Sequence, residues 1–214
     1  GGRLRTIICG GASVPPYLVE EFPKFGVTLL PGYGLTETAN LVSGNPEGLN
    51  KPTSVGYLYP NQEIKIVDGE LWLKGDNLLD SYYNEPEENQ TAFVDGWFKT
   101  GDLVRLDEDG FLYITGRSKN VIVTQNGKNI YPEEIELLLG KVDEIKECMV
   151  YGKEVEGEKE LTITALLIPN YSFIEESYGK DLNKDQIFDI VWAKIKEVNK
   201  SLSTYKAIKR LEIK

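Results

Sequence analysis

The residues of this 214-residue chain that could do chemistry together are Tyr33, Thr36, Glu37, Asp102 and Arg117. The first three share the stretch Pro31-Gly32-Tyr33-Gly34-Leu35-Thr36-Glu37-Thr38. Its glycines, Gly32 and Gly34, permit positive φ and a close approach of backbone to ligand. Tyr33 offers a flat face to a base, and the Thr36 hydroxyl can donate to a phosphoryl oxygen. Glu37 is a hard oxygen donor of the kind Mg²⁺ takes, one carboxylate with phosphate and water completing the shell. Asp102 follows Thr100-Gly101, where a carboxylate can accept hydrogen bonds from both hydroxyls of a ribose. Arg117 lies in Gly116-Arg117-Ser118-Lys119, at the end of a strand-like run. The turn Gly10-Gly11-Ala12 presents backbone N–H groups beside a helix start, a place for an adenine ring or an anion. Each residue also has a plain structural alternative. The Gly10-Gly11-Ala12 turn can be only tight, Tyr33 can pack in the core, Asp102 can bond its own turn backbone, and Arg117 can be merely solvated.

Several elements must position these groups. Residues 4–9 are an apolar run that predicts a buried strand. Residues 15–22 predict a helix, with Ser13 as its N-cap and a proline in the first turn. Residues 27–30 predict a second strand, which feeds a polar loop carrying Tyr33. Residues 63–67 and 70–73 flank Asp68-Gly69, the strongest hairpin signal in the chain. Residues 84–90 are polar and hold a proline, which predicts a surface loop. A second hairpin is expected from residues 103–106 and 111–114, with Asp102 on the glycine turn before it. These hairpins predict a small antiparallel sheet or barrel.

Gly116-Arg117-Ser118-Lys119 then reads as a joint between two domains. After it come a short strand at 121–124, a turn at Gln125-Asn126-Gly127 and a helix at 132–139 with acidic residues in its first turn. Strands at 145–151 and 161–168 enclose a charged loop at 153–160. A helix at 184–202 carries Ile187, Val191, Ile195, Val198 and Leu202 at helical spacing, a core stripe. Residues 208–213 predict a last strand. The overall class is α+β.

Composition excludes some functions. Hydrophobic residues at 41% and charged residues at 27% describe a soluble globular chain. The net charge of -10 argues against nucleic acid, whose partners carry a basic footprint. The absence of histidine removes the usual neutral-pH general base, every His metal ligand and every Ser-His pair. Cys9 and Cys148 stand far apart in apolar runs and read as buried reduced thiols, which suits a cytoplasmic compartment. No signal peptide or long apolar span is present in the sequence.

The motifs occur in an order that resembles the adenylate-forming (AMP-binding) superfamily of acyl-CoA synthetases, luciferases and nonribosomal adenylation domains. They are Gly10-Gly11-Ala12, Gly32-Tyr33-Gly34-Leu35-Thr36-Glu37, Gly69-Glu70-Leu71, Gly96-Trp97-Phe98-Lys99-Thr100-Gly101-Asp102, Gly116-Arg117-Ser118-Lys119 and Asn129-Ile130-Tyr131-Pro132-Glu133-Glu134-Ile135-Glu136. Within that superfamily the chain looks most like a bacterial long-chain fatty-acid–CoA ligase. The resemblance implies that residues 1–118 are the β-rich, barrel-like C-terminal portion of a large AMP-binding domain. Residues 119–214 would be its small mobile α+β C-terminal domain.

The same resemblance implies roles. Gly11 and Ala12 would border the adenine and acyl pocket, and Gly32, Tyr33 and Gly34 would bind the nucleotide, with Tyr33 on adenine. Thr36 would touch phosphate, Glu37 would hold Mg²⁺, Asp102 would bind the ribose and Arg117 would reach the nucleotide. Lys119 would be the hinge, and Gly127 would lie where the pantetheine arm enters. The implied cofactors are ATP, Mg²⁺ and CoA, and the implied partner is a fatty acid. A parent that charges a carrier protein, or a non-catalytic nucleotide-binding module, are the alternatives. Peripheral membrane contact suits a lipid enzyme, although no amphipathic basic helix supports it. The family's phosphate loop is expected before Gly1. Its catalytic lysine is expected beyond Lys214, after the lead-in Tyr205-Lys206-Ala207-Ile208-Lys209-Arg210, so this stretch alone is expected to be inactive.

Overall fold

A computed structural model describes residues 2–60, 62–157 and 161–214. The chain divides into two compact units, Gly1–Ser118 and Lys119–Lys214.

The first unit opens with β1 (Thr6–Cys9), α1 (Pro16–Glu21), β2 (Thr28–Leu35), β3 (Asn40–Gly44) and β4 (Tyr57–Leu58). These strands form one sheet in the order β1-β2-β3-β4, parallel between β1 and β2 and antiparallel beyond. Two expectations are corrected here. The cap of α1 is Pro15 and not Ser13, because proline's fixed φ already suits helix entry. β1 is the sheet's edge, and Ile8 is 65% exposed instead of buried. A third correction bears on the site: β2 runs through Gly32-Tyr33-Gly34 to Leu35, where a loop was expected. Pairing with β3 keeps that glycine-flanked stretch extended, and only Thr36–Thr38 turns, as one 3-10 helix.

The second half of this unit holds β5 (Gln62–Val67), β6 (Glu70–Gly75), α2 (Pro86–Ala92), β7 (Phe93–Val94), β8 (Trp97–Leu106) and β9 (Leu112–Arg117). The Asp68-Gly69 hairpin forms as expected, with both residues at positive φ. Its five strands make an antiparallel sheet in which β8 pairs with β6 on one side and with β7 and β9 on the other. The segment expected as a loop at 84–90 holds most of α2, which runs on to Ala92. Pro86 opens that helix and Glu87 and Glu88 fill its first turn, both favourable to a helix start. Val42, Leu71, Leu73, Val104 and Leu112 form the unit's core with Tyr33.

The second unit contains β10 (Ile122–Val123), β11 (Asn129–Ile130), α3 (Pro132–Leu139), β12 (Ile145–Lys153), β13 (Thr162–Pro169), α4 (Tyr171–Tyr178), α5 (Lys184–Ser201) and β14 (Arg210–Ile213). β12, β13 and β14 form its main sheet, antiparallel then parallel. Val191 and Ile195 of α5 are fully buried, with Ile187, Val198 and Leu202 packed beside them, as their spacing requires. Asn183 caps α5 by a reciprocal bond with Gln186. Sequence reading passed over α4, which Asn170 caps by accepting from the Phe173 N–H. Lys153 ends β12, and residues 158–160 of the expected charged loop lie outside the described ones. Both cysteines are free and half-buried. Burial, with the Glu136 carboxylate second, pushes the Cys148 thiol up to about 11. Among the described residues no helix is long and apolar enough to cross a membrane.

Candidate functional site

The site is built on β8. Phe98 and Thr100 alternate with less buried neighbours, and beyond Gly101 the alternation breaks, so that Asp102, Leu103 and Val104 are all buried. Asp102 is therefore an ionisable group on the core face, 2% exposed. It does not sit on a turn that ends a strand, as the sequence led us to expect. Gly101, at φ 72, takes a bulge within the strand instead. Against β6, Trp72 faces Lys99 whereas Glu70 already faces Leu103, so the extra backbone of β8 lies at Thr100-Gly101-Asp102. Side chains secure the bulge. The Glu70 carboxylate accepts from the Gly101 N–H at 2.8 Å. Thr100 Oγ1 accepts from the Asp102 N–H at 3.0 Å and donates to the Leu71 carbonyl at 2.7 Å.

Two donors grip the Asp102 carboxylate. Tyr33 Oη donates to Oδ2 at 2.6 Å. Arg117 Nε donates to Oδ1 at 2.7 Å, from directly across the β8–β9 ladder. Register thus decides the ion pair: Arg117 ends β9 opposite Asp102. The Tyr33 phenol is driven well above its ordinary range, first by burial and then by the adjacent Asp102 charge. Asp102 is closed off by its own partners. The Arg117 side chain is 56% exposed, whereas Asp102 and Tyr33 are buried.

Glu37 lies on the turn that follows Tyr33. Its Oε1 accepts from Tyr82 Oη at 2.9 Å. Among the described residues Oε2 accepts no hydrogen bond. Burial, then the bond to Glu37, pushes the Tyr82 hydroxyl up to about 12. Thr38, fully buried, locks the turn by accepting from the Leu35 N–H at 3.0 Å and donating to the Leu35 carbonyl at 2.9 Å. Thr36, by contrast, is exposed. Glu37 is a single carboxylate, and no group of three or more acidic or sulfur ligands occurs among the described residues. That donor set fits an ion bound mainly by phosphate oxygens and water rather than an all-protein cage.

The remaining expected site residues are distributed as follows. Gly11, at φ 83, and Ala12 are exposed in the turn after β1. Gly32 and Gly34 lie in β2 on either side of Tyr33. Lys119 and Gly127 belong to the second unit, both exposed, Gly127 in the β10–β11 turn at φ 72. The structure joins Tyr33, Asp102 and Arg117 by direct bonds, and it ties Glu37 to Tyr82 instead. Sequence reading missed Tyr82 and the supporting Thr100. The Tyr82-Tyr83 pair in a polar stretch was the only signal for the first.

The AMP-binding enzyme family matches residues 1–83, and the AMP-binding enzyme C-terminal domain matches residues 119–214. The chain is 39% identical over 154 residues to the 2-succinylbenzoate–CoA ligase of Listeria monocytogenes, covering 71% of this chain and 33% of that one. It is 40% identical over 153 residues to a long-chain-fatty-acid–CoA ligase of Mycobacterium bovis, covering 71% of this chain and 26% of that one. The O-succinylbenzoate coenzyme A synthetase of Bacillus subtilis, solved in complex with ATP and magnesium ion, superposes with a TM-score of 0.79 at 30% identity. That match covers 98% of this chain and 42% of the other. The chain thus spans between about a quarter and two fifths of the length of the curated relatives it matches.

Proposed function

The chain belongs to the AMP-binding enzyme family, and on that premise we propose that it is the nucleotide-gripping and C-terminal part of an acid–CoA ligase. Such an enzyme activates a carboxylic acid with ATP as its acyl-adenylate and passes the acyl group to CoA. The observation that carries the reading is the buried Asp102, held at both oxygens by Tyr33 and Arg117. A core-facing carboxylate with two donors already in place is an oriented acceptor. Ribose hydroxyls would donate to this carboxylate in exchange for the Arg117 guanidinium on Oδ1. Tyr33 marks the adenine end of the site, and Gly11 and Ala12 border it. The exposed Thr36 hydroxyl donates to a phosphoryl oxygen.

Glu37 would hold Mg²⁺, which would supply charge neutralisation at the phosphate oxygens. The attacking acid is already ionised at neutral pH, so this histidine-free chain needs no general base for adenylation. Its residues contribute position and charge. Lys119 is assigned as the pivot of the second unit and the exposed Gly127 turn as the contact for the pantetheine arm.

CoA is preferred to a carrier protein as acceptor because the relatives are named as CoA ligases. The acid we assign is a long-chain fatty acid, which the motif order resembles. 2-Succinylbenzoate is the competitor, since the two named relatives are about equally similar. The test is AMP binding by calorimetry to the complete protein and to its Asp102→Asn variant. Loss of the charged bonds to ribose weakens binding by about 10- to 100-fold. Unchanged AMP affinity in the variant would falsify the ribose assignment. Thioester formation with palmitate or 2-succinylbenzoate, offered CoA or a carrier protein, then identifies acid and acceptor.

A further inference from the structure

We infer that Tyr82 is a positioning residue for the Glu37 carboxylate, held in place by Asn89 of α2; the inference rests on the reading of Glu37 as the Mg²⁺-holding group. The segment that follows β6 fastens the Glu37 turn at separate points. Asn77 Nδ2 donates to the Thr38 carbonyl at 2.7 Å. The Leu79 N–H donates to the Glu37 carbonyl at 2.8 Å. Tyr82 Oη then fixes the side chain itself at 2.9 Å. The first two bonds set the backbone of the turn, and only the third selects a carboxylate orientation.

Tyr82 is in turn clamped. Asn89 Oδ1 accepts from the Tyr82 N–H at 2.7 Å, and Asn89 Nδ2 donates to the Tyr82 carbonyl at 2.9 Å. This side-chain amide pairs with the backbone of one residue as a neighbouring strand would. The Tyr82 ring lies 6.1 Å from Phe93, which lies 5.3 Å from the buried Phe98 of β8. Ring and backbone are therefore both anchored, and the hydroxyl is the group left to act on Glu37. With Oε1 engaged, Oε2 is the oxygen presented to a cation, and the carboxylate cannot rotate freely. A hydrogen bond from outside the ligand shell that fixes a ligating carboxylate typically changes metal affinity by about 10- to 100-fold when removed.

The experiment measures Mn²⁺ binding in the presence of ATP, by electron paramagnetic resonance, on the complete protein. Wild type is compared with Tyr82→Phe, Asn89→Ala and Glu37→Gln, and each variant's melting temperature is recorded. Tyr82→Phe keeps the ring and removes only the bond. Its Mn²⁺ affinity is expected to fall about tenfold while metal-free ATP affinity stays within twofold. Asn89→Ala is expected to shift Mn²⁺ affinity in the same direction. If Glu37→Gln weakens Mn²⁺ binding and Tyr82→Phe does not, the positioning role is overturned and the Glu37 reading stands. If Glu37→Gln itself binds Mn²⁺ as wild type does, the Glu37 reading is wrong and this inference goes with it. A Tyr82→Phe protein that only melts earlier, with unchanged Mn²⁺ affinity, assigns the tyrosine a structural role and also overturns the proposal.

Discussion

Replacing Tyr33 by Phe and Asp102 by Ala, singly and together, tests whether the phenol and the carboxylate are one energetic unit. Both groups are buried, at 8% and 2% exposure, so neither can exchange its partner for water. Tyr33→Phe leaves Oδ2 without its donor, and a bond to a charged group is worth about 1.5–3 kcal/mol. Asp102→Ala leaves the Tyr33 hydroxyl buried without its acceptor, at about 1–3 kcal/mol. The other consequence of that variant is small. Arg117 is more than half exposed and returns to solvent, so the ion pair itself contributes about 1 kcal/mol or less. The double variant removes donor and acceptor together and costs less than the sum of the singles, by about 1.5 kcal/mol. Urea unfolding of residues 1–214 in a Trp192→Phe background measures this, because the remaining tryptophans of this stretch, Trp72 and Trp97, both lie in the first unit. Additivity within about 0.5 kcal/mol would refute the coupling. A second readout has a definite sign. The Tyr33 pKa is raised in the folded state, so its stabilisation is complete below about pH 10 and is lost as pH rises above it. Tyr33→Phe should flatten that alkaline decline.

Further outcomes follow from single contacts. Gly56 is at φ 84, and a Cβ there would stand 1.9–2.1 Å from the backbone of Gly44 and Asn45. Gly56→Ala is expected to cost about 4 kcal/mol or more, or to abolish folding of the first unit, as read by urea unfolding. Glu144, 4% exposed, accepts from Tyr178 at 2.6 Å and Lys194 at 2.9 Å. Burial alone would raise its pKa, but these two donors outweigh burial and hold it below the ordinary carboxylate range. Its stabilisation is therefore present above about pH 4.3 and is lost as pH falls below that value. Glu144→Gln should remove this part of the acid sensitivity of the second unit, measured by circular dichroism of its helices across an acid titration.

The legibility of the chain varied with the range of the forces involved. The Asp68-Gly69 hairpin, α3 and α5 were read correctly because local chemistry specifies them: positive-φ turn residues, a proline opening with acidic first turn, and a helical apolar stripe. The stretches at 31–38 and 84–90 were misread for opposite reasons. Glycines around Tyr33 look like loop, yet pairing with β3 holds them extended. The polar run at 84–90 looks like loop, yet its helix begins at a proline and packs the fully apolar Ala92 inward. Nothing local to the stretch marks Thr38 as the lock of its own turn.

The sequence by itself determined the family's ordered motifs, the α+β class and the chemical types available to a nucleotide. Those follow from residue identity and short spacing. Only the tertiary structure decided that Asp102 faces the core, that a bulge at Gly101 places it opposite Arg117, and that Tyr33 spends its hydroxyl on that carboxylate. It also decided that Glu37 is held by Tyr82. These pairings join residues tens of positions apart, and strand register sets them. Register is the sum of many backbone bonds across a sheet, which no short stretch of the chain encodes.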